Sequence, residues 1–313
     1  MICRGCRLAL FLIIAHSVIV YGVTVHGKVS ESSSILNALQ RYDQYLELKN
    51  HLPAPLVSDN LRDYAAGYHQ QLNSLNIERP MGAGELLAAV QKSAIVLVGD
   101  VHDNPLDKIH FNEILQAMSH KTSSLYVVLE WVPREFSPAL RQYLDGGLTL
   151  RQFARVLRES HFWPFPLAPY LDTLKKIKEL GVQILLPEFL NGTRNVWQRD
   201  QAVVERIHAA RALDSRARFL VFYGNYHLLG GGHLLDLLHQ GGLGNPLVVL
   251  GYAENLYWQG ALFWGQEKLG EAFWLGANLV YWSSADPLVW LEERWQQMEA
   301  ERRRWEEDLA LLE

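Results

Sequence analysis

Two stretches of one pattern stand out for the chemistry they could carry: Gly99-Asp-Val-His102 and Gly224-Asn-Tyr-His227 each place a histidine three residues after a glycine that closes an apolar run. A third apolar run ends on Leu129-Glu130. Two imidazoles and a carboxylate suffice to hold a divalent cation, so His102, His227 and Glu130, assisted by Asp103 or Glu188, are a candidate ligand set for Mn, Zn or Co. Such a metal can lower the pKa of bound water to ~7 and supply hydroxide for hydrolysis. A second chemistry competes for the same region. Haem needs a flat apolar slot, an axial donor, and cations for its two propionates. The aromatic and proline-rich break His161-Phe-Trp-Pro-Phe-Pro-Leu-Ala-Pro-Tyr170 offers Trp163, Phe165, Pro166 and Pro169 as a wall and Tyr170 as a phenolate donor. Arg199 or Lys108 could meet the propionates. Each group also has a plain structural role open to it, since acids and amides cap helices and turns, and aromatic loops pack on sheet edges.

These residues act together only if the fold gathers them. Ala94 to Val98 is short and β-branched, which predicts a strand buried on both faces, with Gly99 letting the backbone turn. Leu125–Leu129, Gln183–Leu186, Arg218–Tyr223 and Pro246–Leu250 read as further strands, and Phe273 to Trp282 holds one or two more. Helical patterns separate them, including Leu106 to Met118 and Val196 to Leu213, the latter with Arg199 and Asp200 in its early turns. The expectation is an α/β fold: a mostly parallel sheet flanked by helices, with right-handed crossovers and the candidate residues at the carboxyl ends of the strands, where such sheets bind ligands. Residues 26–90 read as a helical cap built of hairpins broken at His51-Leu-Pro-Ala-Pro55, 91–286 as the α/β ligand-binding domain, and 287–313 as a C-terminal amphipathic helix. On that helix Leu288, Leu291, Trp295, Met298, Arg302, Trp305, Leu309 and Leu312 form a seam, polar only at Arg302, that suits docking on the parent domain, a short coiled coil between two copies or a frayed tail.

Composition narrows the classes. A formal net charge of -5 gives no basic footprint, so nucleic acid is dropped as a partner. Residues 1–25 read as a signal peptide or anchor: Arg4 and Arg7 precede an apolar run from Leu8 to Val20, which predicts export to the periplasm, cell envelope or exterior. Membrane association is expected only if that segment is left uncleaved. Both cysteines, Cys3 and Cys6, precede the run, so a cleaved chain would have no thiol chemistry. No Gly-x-Ser-x-Gly elbow, P-loop or Gly-x-Gly-x-x-Gly turn is present, and Gly230-Gly-Gly232 is a weak phosphate-loop signal.

From about Ile95 to Leu291 the chain resembles the ChaN-type haem-binding uptake proteins, a branch of the group that includes the Tiki and TraB proteins. The resemblance rests on Gly99-Asp-Val-His102-Asp-Asn-Pro105, Leu129-Glu130, Trp163-Pro-Phe165 with Tyr170, Arg199-Asp200, Gly224-Asn-Tyr-His227, Glu254-Asn-Leu-Tyr-Trp258 and Ala285-Asp286-Pro287. It implies an exported haem-binding protein of the iron-uptake type rather than an enzyme, a homodimer with haem near the subunit contact and a tyrosine on the iron. Tyr170 is the matching tyrosine, with His102 and His227 on the strand-end wall. The chain lacks the lipidated cysteine of several members and has Pro187-Glu188 where many carry an asparagine. The wider group includes metal-dependent peptidases that look similar in their two Gly-x-x-His turns and strand-end glutamate, so the metal-dependent hydrolase stays open as the alternative.

Overall fold

The computed structural model describes residues 30–51, 59–102, 104–120, 124–159, 163, 165–187, 195–265, 271–282, 286–289, 291–293, 295–296 and 299–300. The signal or anchor at 1–25, Asp103, Glu188 and the end of the C-terminal seam lie outside them.

Eight strands form one sheet: β1 (Arg79–Met81), β2 (Ile95–Asp100), β3 (Leu125–Leu129), β4 (Gln183–Ile184), β5 (Arg218–Gly224), β6 (Leu247–Leu250), β7 (Ala272–Gly276) and β8 (Leu279–Trp282), in the order β1-β7-β8-β6-β2-β5-β3-β4. The run from β8 to β4 is parallel, and β1 and β7 add an antiparallel edge. All six residues of β2 are buried, as expected of a central strand covered on both faces. Alternation along β5 divides the core. Phe219, Val221 and Tyr223 join one cluster with Leu97, Val203 and Leu256, whereas Leu220 and Phe222 join the opposite one with Leu86, Phe111, Ile114 and Leu174. Full burial of one such side chain contributes about 1.5–3 kcal/mol, so both layers contribute to holding the strand ends in register.

The helices that matter for the site are α1 (Ser30–His51), α2 (Asp59–Leu72), α3 (Ala83–Lys92), α4 (Pro105–Ser119), α5 (Ser137–Leu144), α6 (Leu150–Glu159), α7 (Ala168–Glu179), α8 (Val196–Leu213), α9 (Leu234–Gln240) and α10 (Glu254–Trp264). Asn104 caps α4 by accepting the Leu106 N–H at 3.2 Å, with Pro105 in the first turn, and Asn195 caps α8 by accepting the Gln198 N–H at 3.3 Å. These caps fix where each helix leaves its strand. Among the described residues no helix is long and apolar enough to cross a membrane.

The parallel α/β architecture matches the expectation. Three local differences have physical reasons. The third strand extends only over Gln183–Ile184, as an edge strand paired on one side. The strand β1 falls in the stretch read as helical, where three residues containing Pro80 carry no period-two signal and an edge position tolerates proline. Gly99 lies within β2 and does not turn the chain. A Cβ there would meet Asn225 Oδ1 at 1.8 Å and the Gly251 nitrogen at 2.7 Å, so glycine is needed for close approach of the neighbouring strand ends. At the C-terminal seam, residues 287–289 and 291–293 are helical and Leu288 and Leu291 are buried in the core, so this helix docks on the parent domain at its start.

Candidate functional site

The register of the parallel strands aligns the carboxyl ends of β2, β5 and β3, in that spatial order. Asp100 and His102 follow from β2, Glu130 from β3, and Gly224 through His227 from β5, whose last turn is a 3₁₀ segment at Asn225–His227. His102 and Glu130 close on Gly224: a Cβ at that position would sit 3.1 Å from His102 Cε1 and 3.3 Å from Glu130 Oε2. The glycine of the second pattern therefore makes room for residues of the two flanking strands. The two histidines, Glu130 and Arg199 come together as one cluster.

The side around His227 is closed and ionic. Glu130 is buried; its Oε1 accepts from Arg199 at 2.6 Å and lies 3.4 Å from His227 Nε2, while Oε2 accepts the Gly224 N–H at 2.7 Å. His227 Nδ1 is 2.6 Å from Asp200 Oδ1, and the Tyr64 hydroxyl from α2 donates to the other Asp200 oxygen. Burial opposes ionisation of Glu130, but Arg199 and His227 outweigh it and hold the carboxyl well below its usual range. Burial likewise opposes the imidazolium, yet Asp200 and Glu130 raise the His227 pKa to about 9. With Asp200 and Glu130 at its two nitrogens, the metal-free arrangement favours the imidazolium form of His227. The ring of Tyr64 stacks on His233 with centroids 3.8 Å apart, and both residues are buried.

The side around His102 is aromatic and partly open. Asp100 Oδ2 lies 2.8 Å from His102 Nδ1 and accepts the Tyr170 hydroxyl at 2.5 Å, while its Oδ1 is 2.5 Å from Lys108 Nζ. Lys108 is buried and also donates to the carbonyls of Val101, His102 and Asn104 at 2.9, 2.9 and 3.1 Å, tying down the loop that carries the histidine. The imidazole of His102 stays 23% exposed, flanked by Trp163 at 4.7 Å and Phe165 at 4.5 Å between ring centroids. Tyr170 lies behind it, fully buried against Trp131 and Trp163. Burial, then Asp100, raise the Tyr170 pKa, so in this arrangement the group is a neutral phenol.

Trp163, Phe165 and the half-open His102 fit a flat apolar ligand that brings its own metal, and Tyr170 stands behind them as a donor only on release from Asp100. Lys108 and Arg199 do not face this wall as free cations. Lys108 is spent on Asp100 and three carbonyls, and Arg199 on Glu130. For the alternative metal, no group of three His, Cys, Asp or Glu among the described residues is arranged to hold an ion, and Glu130 is already neutralised by protein cations. The N–H of Gly232 is taken by Asp236 at 2.7 Å and that of Gly230 by Gln71 at 2.6 Å, which occupies the weak phosphate-loop signal.

Several participants had no sequence signal of their own. Tyr64 lies on a cap helix 163 residues from His227. Tyr223 is buried beneath Arg199 and His227 at the end of β5, where strand alternation marks it only as core. The role of Asp200 could have been suspected from the Arg199-Asp200 pair on the first turns of α8.

Residues 86–186 match the family described as "Haem-binding uptake, Tiki superfamily, ChaN". No curated protein matches the chain significantly. Among solved structures, the chain is similar to the type III effector HopBA1, at 14% identity over 57% of this chain and 87% of that one with a TM-score of 0.42. It is also similar to ChaN of Campylobacter jejuni, described as binding haem cofacially, at 13% identity over 62% and 92% with a TM-score of 0.42. RRSP, a MARTX toxin effector domain from Vibrio vulnificus, matches at 15% identity over 72% of this chain but 45% of its own, with a TM-score of 0.37. The matched stretch contains Asp100, His102, Glu130, Trp163, Phe165 and Tyr170, and over residues 86–186 the chain carries the pattern of the ChaN-type haem-binding uptake family of the Tiki superfamily.

Proposed function

We propose that this protein binds haem as part of haem or iron uptake, at the aromatic wall formed by His102, Trp163 and Phe165. The observation that carries the reading is the family match over residues 86–186, which covers every residue of that wall. The physical support is that the exposed imidazole edge and two aromatic rings sit together at the strand ends, while Asp100, Tyr170 and Lys108 behind them are bonded to one another. His102 and Tyr170 are the two candidate donors to the iron. His102 is the more accessible; Tyr170 binds only if its hydroxyl leaves Asp100. Haem would supply the redox-active iron and the flat apolar surface, and the chain would bind and shield it. Export through residues 1–25 and assembly as a homodimer belong to the same proposal, the first tested by the N-terminal mass of the secreted chain and the second by sedimentation with and without haemin. Haemin titration of the mature chain is the direct test: saturable binding with a shifted Soret band that His102→Ala or Tyr170→Phe changes supports the reading, and an unchanged haemin spectrum contradicts it.

A second reading, hydrolysis, is favoured by one observation: Asp100 holds Nδ1 of the half-open His102, the arrangement that orients an imidazole for proton transfer. The metal-dependent form would need Glu130 to release Arg199 and His227 to lose its proton. Stoichiometric Mn, Zn or Co after mild purification, with hydrolysis lost on chelation, would support it; absence of both removes it.

A further inference from the structure

Lys108, on α4, is among the largest fully buried side chains of the molecule. An ammonium held away from water is destabilising unless it is paired and its protons are accepted. Asp100 Oδ1 lies 2.5 Å from Nζ, the carbonyls of Val101, His102 and Asn104 accept from it, and the Tyr170 ring covers a further side with its centroid at 4.6 Å. This arrangement decides which way the carboxylate of Asp100 is turned. With Oδ1 committed to the ammonium, Oδ2 is the oxygen left for the site: it accepts the Tyr170 hydroxyl at 2.5 Å and lies 2.8 Å from His102 Nδ1.

A carboxylate paired with an ammonium only accepts hydrogen bonds, so a neutral His102 ring carries its proton on Nδ1 and its lone pair on Nε2. Among the described residues no hydrogen bond or ion pair reaches that Nε2. Gly224 keeps the space beside it clear, since a Cβ there would lie 3.3 Å from Nε2. The partly exposed imidazole therefore offers an electron pair at its free nitrogen, and not an N–H.

We propose that Lys108 is the positioning residue for His102: its hold on Asp100 Oδ1 turns Oδ2 to Nδ1, which leaves the lone pair on Nε2. The site then takes a ligand with an electron-pair acceptor at that point, which the metal centre of a metalloporphyrin supplies and a metal-free porphyrin does not. Lys108 acts from behind the imidazole, in place of the propionate contact its charge suggested. The choice of ligand rests on the haem reading above, whereas the tautomer belongs to the ligand-free chain and is tested without haem.

The test reads the His102 tautomer by ¹⁵N NMR of histidine-labelled chain at about pH 8.5, above the ordinary histidine range, with the His102 signals identified by their absence in His102→Gln. Wild type should show the proton on Nδ1. Asp100→Asn is nearly isosteric; Lys108 should draw the amide oxygen to itself and leave the NH₂ facing Nδ1, moving the imidazole proton to Nε2. Adding Lys108→Met to Asp100→Asn frees the amide to turn its oxygen to His102, so the proton should return to Nδ1. A proton on Nε2 in wild type, an unmoved proton in Asp100→Asn, or no return in the double variant would each overturn the positioning role. In the ligand arm, the ratio of haemin affinity to metal-free protoporphyrin affinity should fall about 10-fold in Asp100→Asn and recover in the double variant. Equal weakening of both porphyrins would reduce Lys108 and Asp100 to structural support and overturn the assignment of ligand class. Absence of haemin binding by wild type would sink the haem reading, and the tautomer series would still decide the role of Lys108.

Discussion

The two Gly-x-x-His stretches have the same spacing and end adjacent parallel strands, yet the structure puts them to opposite uses. His227 is enclosed by Asp200, Glu130, Tyr64 and Tyr223, carries a proton at neutral pH, and is 5% exposed. His102 has a single carboxylate, Asp100, on one nitrogen and keeps an open edge between Trp163 and Phe165. The difference comes from the partners each strand end meets. The β5 end faces α2 and α8, which bring an acid, a phenol and, through Arg199, the cation that neutralises Glu130. The β2 end faces Trp163 and Phe165, which precede α7, and Tyr170 in the first turn of α7. One half is a sealed ionic knot that holds the strand ends together, and the other keeps an open aromatic face, to which the proposed function assigns the ligand.

Substitutions can break that contrast. Glu130→Ala should have the largest effect on stability, because Arg199 and His227 would be left as buried cations without their shared carboxylate; a loss of about 3–5 kcal/mol in urea unfolding at neutral pH is expected. Gly224→Ala places a methyl 3.1 Å from His102 Cε1 and 3.3 Å from Glu130 Oε2, which the neighbours must yield to; about 1–3 kcal/mol is expected by the same measurement. Tyr64→Phe removes one hydroxyl from Asp200 and should cost about 1–2 kcal/mol. His102→Ala should cost about 1 kcal/mol or less, since the ring is partly exposed, while haemin affinity falls.

Titration sharpens the comparison further. The folded pKa of His227, about 9, lies above its ordinary value of 6.5, so its contribution to stability is complete below 6.5 and disappears as pH rises through about 9. Unfolding free energies measured between about pH 6 and 10 should therefore decline for wild type, with part of that decline missing in His227→Gln. A wild-type slope unchanged by His227→Gln would contradict the protonated assignment.

Much of this arrangement could be read before any coordinates. Continuous β-branched runs marked β2, β3, β5 and β6, and the repeated glycine-to-histidine spacing placed two imidazoles and Glu130 at one sheet edge. Their inequality was not legible, because it depends on packing across long sequence separations: Tyr64 reaches Asp200 over 136 residues, and Tyr170 reaches Asp100 over 70. Lys108 and Arg199 looked like ligand-facing cations because a sequence does not display the buried acids that neutralise them. Gly99 read as a turn because its need is created by Asn225, on another strand end.

The account stands most directly on a haemin titration of the His102→Ala chain beside wild type, followed at the Soret band. It predicts saturable binding by wild type and at least about 10-fold weaker binding by His102→Ala. Superposable titrations of the two proteins would contradict the assignment of the open half as the ligand site.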